Sequence, residues 1–253
     1  MVKISMNKAV EIIELDYTYP DKTKALDGIN LEIQSGESIA LVGANGAGKS
    51  TLLLHLNGIN KGNKGQINIQ GLPVEEKNIK KIRGLVGMVF QNPDDQLFLP
   101  TVFDDVSFGP MNMGLDKEEI KTRTQKALEA VGMGGFEKRL SHHLSFGQKK
   151  RIAIATVLSM GPEILVLDEP TSNLDPRNRR NLVELLKTFR TTKIIATHDM
   201  GMVANVCDRV VVMSQGKIVA DGTTKEILTD EQLLDKYGLE SPLLHPHVCC
   251  HHG

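Results

Sequence analysis

Tryptophan is absent from this 253-residue chain, and aromatic residues make up only 4% of it. So thin a supply argues against a surface that stacks nucleobases in series. An excess of one charge is missing too. Lys and Arg number 30 against 31 Asp and Glu, for a formal net charge of −1. No global field therefore favours nucleic acid or an anionic membrane as partner. No apolar run approaches the ~20 residues of a membrane span. Three cysteines, two of them adjacent, make no disulfide framework. The opening Met1-Val2-Lys3-Ile4-Ser5 leads into mixed sequence without a signal-peptide pattern. The expectation is a cytoplasmic protein whose work at any membrane needs a partner. What is present is a 40% hydrophobic share, enough for the core of one large domain or two small ones.

One stretch organises the rest. Gly43-Ala44-Asn45-Gly46-Ala47-Gly48-Lys49-Ser50-Thr51 reads G-x-x-x-x-G-K-[ST], a P-loop. The apolar run 38–42 before it predicts a buried strand. Residues 51–58 after it predict a short helix, with Gly58 as C-cap. Glycines let backbone N–H groups turn inward around phosphate oxygens, where side chains would obstruct. The helix start adds unpaired N–H groups and partial positive charge. Lys49 supplies a point charge to the β- and γ-phosphates, and Ser50 a hydroxyl for Mg²⁺.

Around this loop the pattern predicts strands at 9–18, 25–33, 65–71, 86–90, 163–167, 193–197, 209–213 and 217–220. Helices are predicted at 101–113, 116–131, 145–160, 178–190 and 200–206. Asp116 is placed as an N-cap, with Glu119 at the reciprocal capping position. Strands at both ends with helices between them indicate an α/β core with a helical insertion. No internal repeat or low-complexity linker is visible.

Ile164-Leu165-Val166-Leu167-Asp168-Glu169-Pro170 delivers two carboxylates at the end of an apolar strand, where α/β sheets bind ligands. Asp168 fits the Mg²⁺ shell, and Glu169 fits the base that orients and deprotonates an attacking water. Such an acidic pair is common by accident and gains its weight from following a P-loop. Leu144-Ser145-Phe146-Gly147-Gln148 is a capping box ahead of an apolar helix, and its exposed start is also an anion site.

At this point the chain resembles the nucleotide-binding subunits of ABC transporters, whose signature sequence 144–148 is similar to. The resemblance covers roughly residues 8–225. Gln91 matches that family's Q-loop glutamine, Ser172-Asn173-Leu174-Asp175 its D-loop, and His198 its switch histidine. Tyr19 sits where the family's aromatic stacks on adenine. The fold it implies is a P-loop NTPase (RecA-like) α/β core with an N-terminal antiparallel β subdomain and an inserted α-helical subdomain, about 92–160. The ABC-type domain would span 1–225, and 226–253 would hold a C-terminal helix and a tail. The cofactors implied are ATP and Mg²⁺. Glu169, His198, Gln91 and Lys49 would be catalytic. Tyr19, Gly43, Asn45, Gly46, Gly48, Lys49, Ser50 and Thr51 would bind nucleotide. Ser145, Gly147, Gln148 and Asp175 would do so on the facing subunit's ATP. Ser50, Gln91 and Asp168 would hold Mg²⁺. Two such domains would close head to tail around two ATP molecules. A homodimer and a heterodimer with a paralogous subunit both remain open.

Residues 91–98 and 108–114 look like the subgroup that energises cobalt, nickel and vitamin uptake, the energy-coupling-factor importers. Partners would be integral membrane subunits, and the site of action the cytoplasmic face of the cell membrane. The stretch Asp94 to Phe98 after Gln91 would touch a membrane-subunit helix. Non-transport relatives fit less well. The interval between P-loop and signature lacks the sustained heptads of a long coiled coil, and there is a single cassette. Two departures stand out: Phe146 replaces the signature's first glycine, and Asn173 replaces a small D-loop residue. Lastly, the tail carries His245, His247, Cys249, Cys250, His251 and His252, four of the chain's eight His and two of its three Cys. Imidazole and thiolate are ligands for nickel, cobalt, zinc and copper, so the tail is a candidate metal segment.

Overall fold

The computed structural model describes residues 8–240. The tail candidates His245, His247, Cys249, Cys250, His251 and His252 lie outside the described residues. Strands β1 (Lys8–Thr18), β2 (Lys24–Gln34) and β3 (Ser38–Val42) lead into helix α1 (Lys49–Leu56). Next come β4 (Lys64–Ile69), β5 (Leu72–Pro73), α2 (Ile79–Leu85) and β6 (Val86–Val89). Helices α3 (Val102–Asn112), α4 (Lys117–Ala130) and α5 (Phe146–Leu158) follow. The chain then alternates: β7 (Ile164–Asp168), α6 (Pro176–Thr188), β8 (Thr192–Ala196), α7 (Met200–Val206). It finishes with β9 (Arg209–Ser214), β10 (Lys217–Thr223), α8 (Thr224–Thr229) and α9 (Glu231–Lys236).

Two sheets result. One is four-stranded, in the order β2-β1-β4-β5, and its pairings are antiparallel. The other is six-stranded, in the order β10-β9-β3-β8-β7-β6. Its strands run parallel except at β10. Strands β3, β7 and β8 are buried at every position, as parallel strands covered on both faces must be. Their two-residue period splits each strand between two cores. Ala40, Val42, Leu165 and Leu167 face the core shared with α3–α6. Ile39, Leu41, Ile164 and Val166 face the antiparallel sheet and α1. The helical stretch α3–α5 sits between β6 and β7, which are hydrogen-bonded neighbours. An inserted unit can be accommodated there because its ends lie side by side.

Local signals account for the helix starts. Thr101, Ser145 and Thr223 each close a reciprocal capping box, and Asp116 and Asp175 cap α4 and α6. A good cap contributes about 1 kcal/mol. The Asp116 cap is one-sided: the Glu119 carboxylate accepts from Arg123 Nε at 2.7 Å rather than reaching back to the cap. Helix α1 begins at Lys49, two residues before its predicted start, and ends at Leu56; Asn57, and not Gly58, is its C-cap, with Gly58 just beyond at φ +67°. Helix α2 was not expected; its seven residues bury only Ile82 and leave little periodic pattern. Helix α8 begins at Thr224, and Ile227, Leu228, Leu234 and Leu239 join the same core as α3–α6. The described chain end therefore continues that core across the expected boundary at 225. No helix among the described residues is long and apolar enough to cross a membrane.

Candidate active site

The parallel sheet brings together segments that the sequence keeps far apart. The loops leaving the C-terminal ends of β3, β6, β7 and β8 carry the P-loop, Gln91, Glu169 and His198. In open α/β sheets this edge is where ligands bind. A cleft of ≈ 440 Å³ is lined there by Tyr19, Asn45, Gly46, Gly48, Lys49, Ser50, Thr51, Gln91, Glu169 and His198, together with Thr23, Lys24 and Ala25.

In the P-loop, Gly43 and Gly48 are required by the protein's own backbone. A Cβ at Gly43 would lie 2.2 Å from the Met213 carbonyl oxygen, and one at Gly48 2.6 Å from that of Ala25. Their φ values are +148° and +104°. Only Gly46, with no atom within 4 Å of such a Cβ, leaves its space open for phosphate. The buried Lys49 ammonium donates to the Gly43 and Ala44 carbonyls at 2.6 and 3.1 Å. Burial lowers its pKa, while Glu169 and Asp168 oppose the shift. The Tyr19 hydroxyl bonds the Thr51 hydroxyl at 2.9 Å, so the aromatic ring stands at the rim of the loop.

Across the cleft, Asp168 and Glu169 are both 8% exposed. Burial raises the Asp168 pKa, and the Ser50 hydroxyl pulls the other way. Asp168 Oδ1 is buried without a hydrogen-bond partner among the described residues. An orphan carboxylate oxygen beside a P-loop serine is what a Mg²⁺ site requires of its donors, so the residues fit the ion. Among the described residues no cluster of three or more His, Cys, Asp or Glu side chains is placed to hold a metal. Any ion here would therefore share its shell with phosphate oxygens and water, as Mg²⁺ does. Glu169 Oε2 lies 2.9 Å from His198 Nδ1 and accepts from the Thr197 hydroxyl at 3.3 Å. The His198 side chain is 70% exposed, toward the cleft.

The Glu169 backbone sits at φ +44°, a left-handed conformation costing a non-glycine residue about 1–3 kcal/mol. Its carbonyl accepts from Ser172 N at 3.2 Å, Ser172 Oγ at 2.8 Å and Lys150 Nζ at 3.1 Å. These bonds hold the strained turn. Asn173 also has positive φ, at +59°. Asn tolerates that region, which accounts for its presence where a small residue is usual.

Ser145, Gly147, Gln148 and Asp175 do not line this cleft. Ser145 and Gln148 cap α5 reciprocally. Gly147 packs on Asn178, which a Cβ would meet at 2.9 Å. Asn178 Nδ2 in turn donates to the Asp175 carboxylate at 2.5 Å and its Oδ1 accepts from Arg151 at 3.3 Å. Within one subunit these four residues are structural neighbours away from the P-loop.

Three features escaped sequence reasoning. Lys150 is 1% exposed and burial pushes its ammonium down to about 8, against the attraction of Asp168 and Glu169. The signal was there: Gly147, Lys150, Ile154 and Val157 share one helix face, although Lys149-Lys150-Arg151 reads as a solvated run. Asp199 is bound bidentately by Arg179 and accepts from Thr171 at 2.9 Å, tying the His198 loop to α6. Burial would raise the Asp199 pKa, but these donors and Met202 N lower it overall. Finally, Asp94 is not a free acid: Lys149 Nζ holds it at 2.6 Å. The loop's exposed character is apolar instead. Phe98 is 65% exposed and its ring packs edge-on against Phe108, with Met111, Met113 and Leu140 also exposed.

The ABC transporter family profile matches residues 26–172. The chain is 51% identical over 242 residues to the energy-coupling factor transporter ATP-binding protein EcfA of Carboxydothermus hydrogenoformans, covering 94% of this chain and 89% of that one. It is 43% identical to cbiO1 from Clostridium perfringens, described as part of the ABC transporter complex cbiONQ. The TM-score is 0.81, with 94% of this chain and 97% of that one covered. A dimeric ATP-binding cassette, MJ0796, in a post-hydrolysis state bound to ADP and Pi matches with TM-score 0.77 and 27% identity over 85% of this chain and 98% of that one.

Proposed function

This chain belongs to the ATP-binding domains of ABC transporters and is an ATPase, and from that premise we propose that it powers import through integral membrane subunits, with cobalt or nickel ions as cargo. The energy-coupling-factor and cbiO relatives support the importer type. The observation that carries the transport reading is the exposure of Phe98 and Phe108, whose rings pack together, with Met111 and Met113 also exposed on the segments that follow Gln91. Apolar surface of this kind marks a docking site, and its link to the cleft runs through the Gln91 loop.

Residue roles follow from the cleft. Lys49 and the P-loop amides hold the phosphates of ATP. Glu169 orients the attacking water and takes its proton, and His198 fixes the carboxylate that does so. Ser50, Asp168 and Gln91 would hold Mg²⁺, which supplies a Lewis acid to the β- and γ-phosphate oxygens when bound. Tyr19 offers a ring to adenine. Ser145, Gly147, Gln148 and Asp175 stand away from the cleft of their own subunit, so their nucleotide contacts belong to a second ATPase subunit's site. Closure of two subunits is driven by the differential affinity of ATP for closed and open states. The work is done at the cytoplasmic face of the membrane.

The docking prediction is direct. Phe98→Ser should weaken assembly with the membrane subunits by about 5- to 30-fold, the scale of an interface anchor, with MgATP binding by the isolated chain unaltered. Asp94→Ala with Asp95→Ala should reduce transport and leave ATP binding intact. Co-purification from native membranes and transport in reconstituted vesicles read both. Normal assembly and transport in all of these variants would move the contact elsewhere.

The cargo prediction rests on the composition of the tail. Calorimetric titration of Ni²⁺, Co²⁺ and Zn²⁺ into the full-length chain should reveal binding that is lost in a truncation ending at Leu244. It should weaken below about pH 6, as imidazoles protonate. Equal stoichiometry and affinity in both proteins would remove the tail as a metal site. Binding of zinc alone, with uptake unaffected by truncation, would separate the tail from the cargo and favour the vitamin-importer reading.

A further inference from the structure

Lys150 occupies an unusual position for a charged side chain. It is buried in the first turns of α5, yet both carbonyls it reaches lie on other elements. Its Nζ donates to the Gln91 carbonyl at 2.6 Å and to the Glu169 carbonyl at 3.1 Å. Gln91 follows β6 and Glu169 follows β7, so one ammonium bridges the exits of two neighbouring strands. Lysine suits this task. It is a compact charge with three donors, and it turns freely to meet carbonyls that come from two different elements.

The Glu169 carbonyl is the strained one, since the residue holds φ +44°. Of its three donors, two come from Ser172 in the same turn. Lys150 is the donor to that carbonyl that comes from another element, and it ties the turn to α5. One helical turn toward the start of α5 stands Phe146, whose ring centroid lies 5.7 Å from the Lys150 ammonium. An aromatic face at that distance attracts a cation, and positions i and i+4 are neighbours on a helix. Glycine at 146 would offer no such face. The departure of the signature from its usual glycine thus has a partner inside the same subunit.

We propose that Lys150 is a positioning residue for Glu169 and Gln91, and that Phe146 holds Lys150 in place, so that the start of α5 and the strand ends carrying these two residues form one rigid unit. This rests on the reading of Glu169 as the base. A carboxylate displaced by about 1 Å from its productive position loses on the order of 100-fold in rate. Loss of the tie should therefore appear in turnover and not in nucleotide affinity.

The test measures ATP hydrolysis and MgATP affinity on the full-length chain for Lys150→Met, Lys150→Arg, Phe146→Leu, the Phe146→Leu/Lys150→Met double variant and Glu169→Gln. Lys150→Met should lower kcat by about 100-fold with ATP affinity within about twofold of the starting protein. Lys150→Arg, which keeps donors for both carbonyls, should recover about tenfold of that loss. Phe146→Leu should lower kcat by about 3- to 10-fold alone and add nothing to Lys150→Met, because the two act through one contact. Should Lys150→Met fail to fold, Phe146→Leu and Lys150→Arg carry the test: unchanged turnover in Phe146→Leu then overturns the proposal. So does a kcat for Lys150→Met within about twofold of the starting value, a defect confined to KM, or no recovery by arginine. Losses that multiply in the double variant remove Phe146 from the unit. Turnover retained by Glu169→Gln would instead remove the base assignment. Glu169→Gln inactive beside a fully active Lys150→Met would spare that assignment and defeat this proposal alone.

Discussion

Glu169→Gln is expected to lower ATP turnover by about 10²- to 10⁴-fold, the range a general base contributes, while MgATP still binds. The substitution keeps shape and leaves one amide oxygen for the Thr197 hydroxyl, which donates to Oε2 at 3.3 Å, with His198 Nδ1 2.9 Å from the same oxygen. What it removes is the basicity that accepts a proton from water. The backbone strain at this position is untouched, since its carbonyl bonds to Ser172 and Lys150 do not involve the side chain. With hydrolysis blocked and binding intact, an ATP-held dimer should accumulate. Phosphate release in the steady state measures the first effect, and light scattering with MgATP the second. Turnover near that of the starting protein would take Glu169 out of the role.

Lys49→Ala should act earlier, on binding itself. A hydrogen bond to a charged group contributes about 1.5–3 kcal/mol, so losing the ammonium should cost roughly 10- to 150-fold in ATP affinity. Thermal unfolding reads this well. Ligand at 100 times its Kd stabilises by about 2.7 kcal/mol, and a 100-fold weaker Kd cuts that to about 0.4 kcal/mol. The MgATP-induced rise in Tm should therefore almost vanish. Lys49 also bonds the Gly43 and Ala44 carbonyls, so the variant loosens the loop as well. Comparing unfolding without nucleotide separates that contribution. An undiminished MgATP shift in Lys49→Ala would count against the P-loop assignment.

Much of the site was legible because its signals are local. The P-loop spacing, the Ser145–Gln148 box and the apolar run ending in Asp168 are all written within a few residues. Short-range hydrogen bonds and side-chain period then fix their conformation. The sequence by itself therefore determined the strand–loop–helix around Lys49, the capped start of α5 and the acidic end of β7. What it could not determine depends on residues that meet only after the sheet assembles. Gly43 is needed because Met213, at the end of β9, comes against it. Lys150 is buried because α5 packs across the exits of β6 and β7, which exchanges a solvated charge for two carbonyl bonds. Asp94 was legible as an acid and illegible as a partner of Lys149. The exposed Phe98 and Phe108 faces were composition until the helices left them uncovered. Motif identity is carried by neighbours in the chain. The tie from Lys150 to the Gln91 and Glu169 carbonyls was decided by tertiary structure, because the parallel order β3-β8-β7-β6 is what sets the exits of β6 and β7 side by side within hydrogen-bond reach of one ammonium.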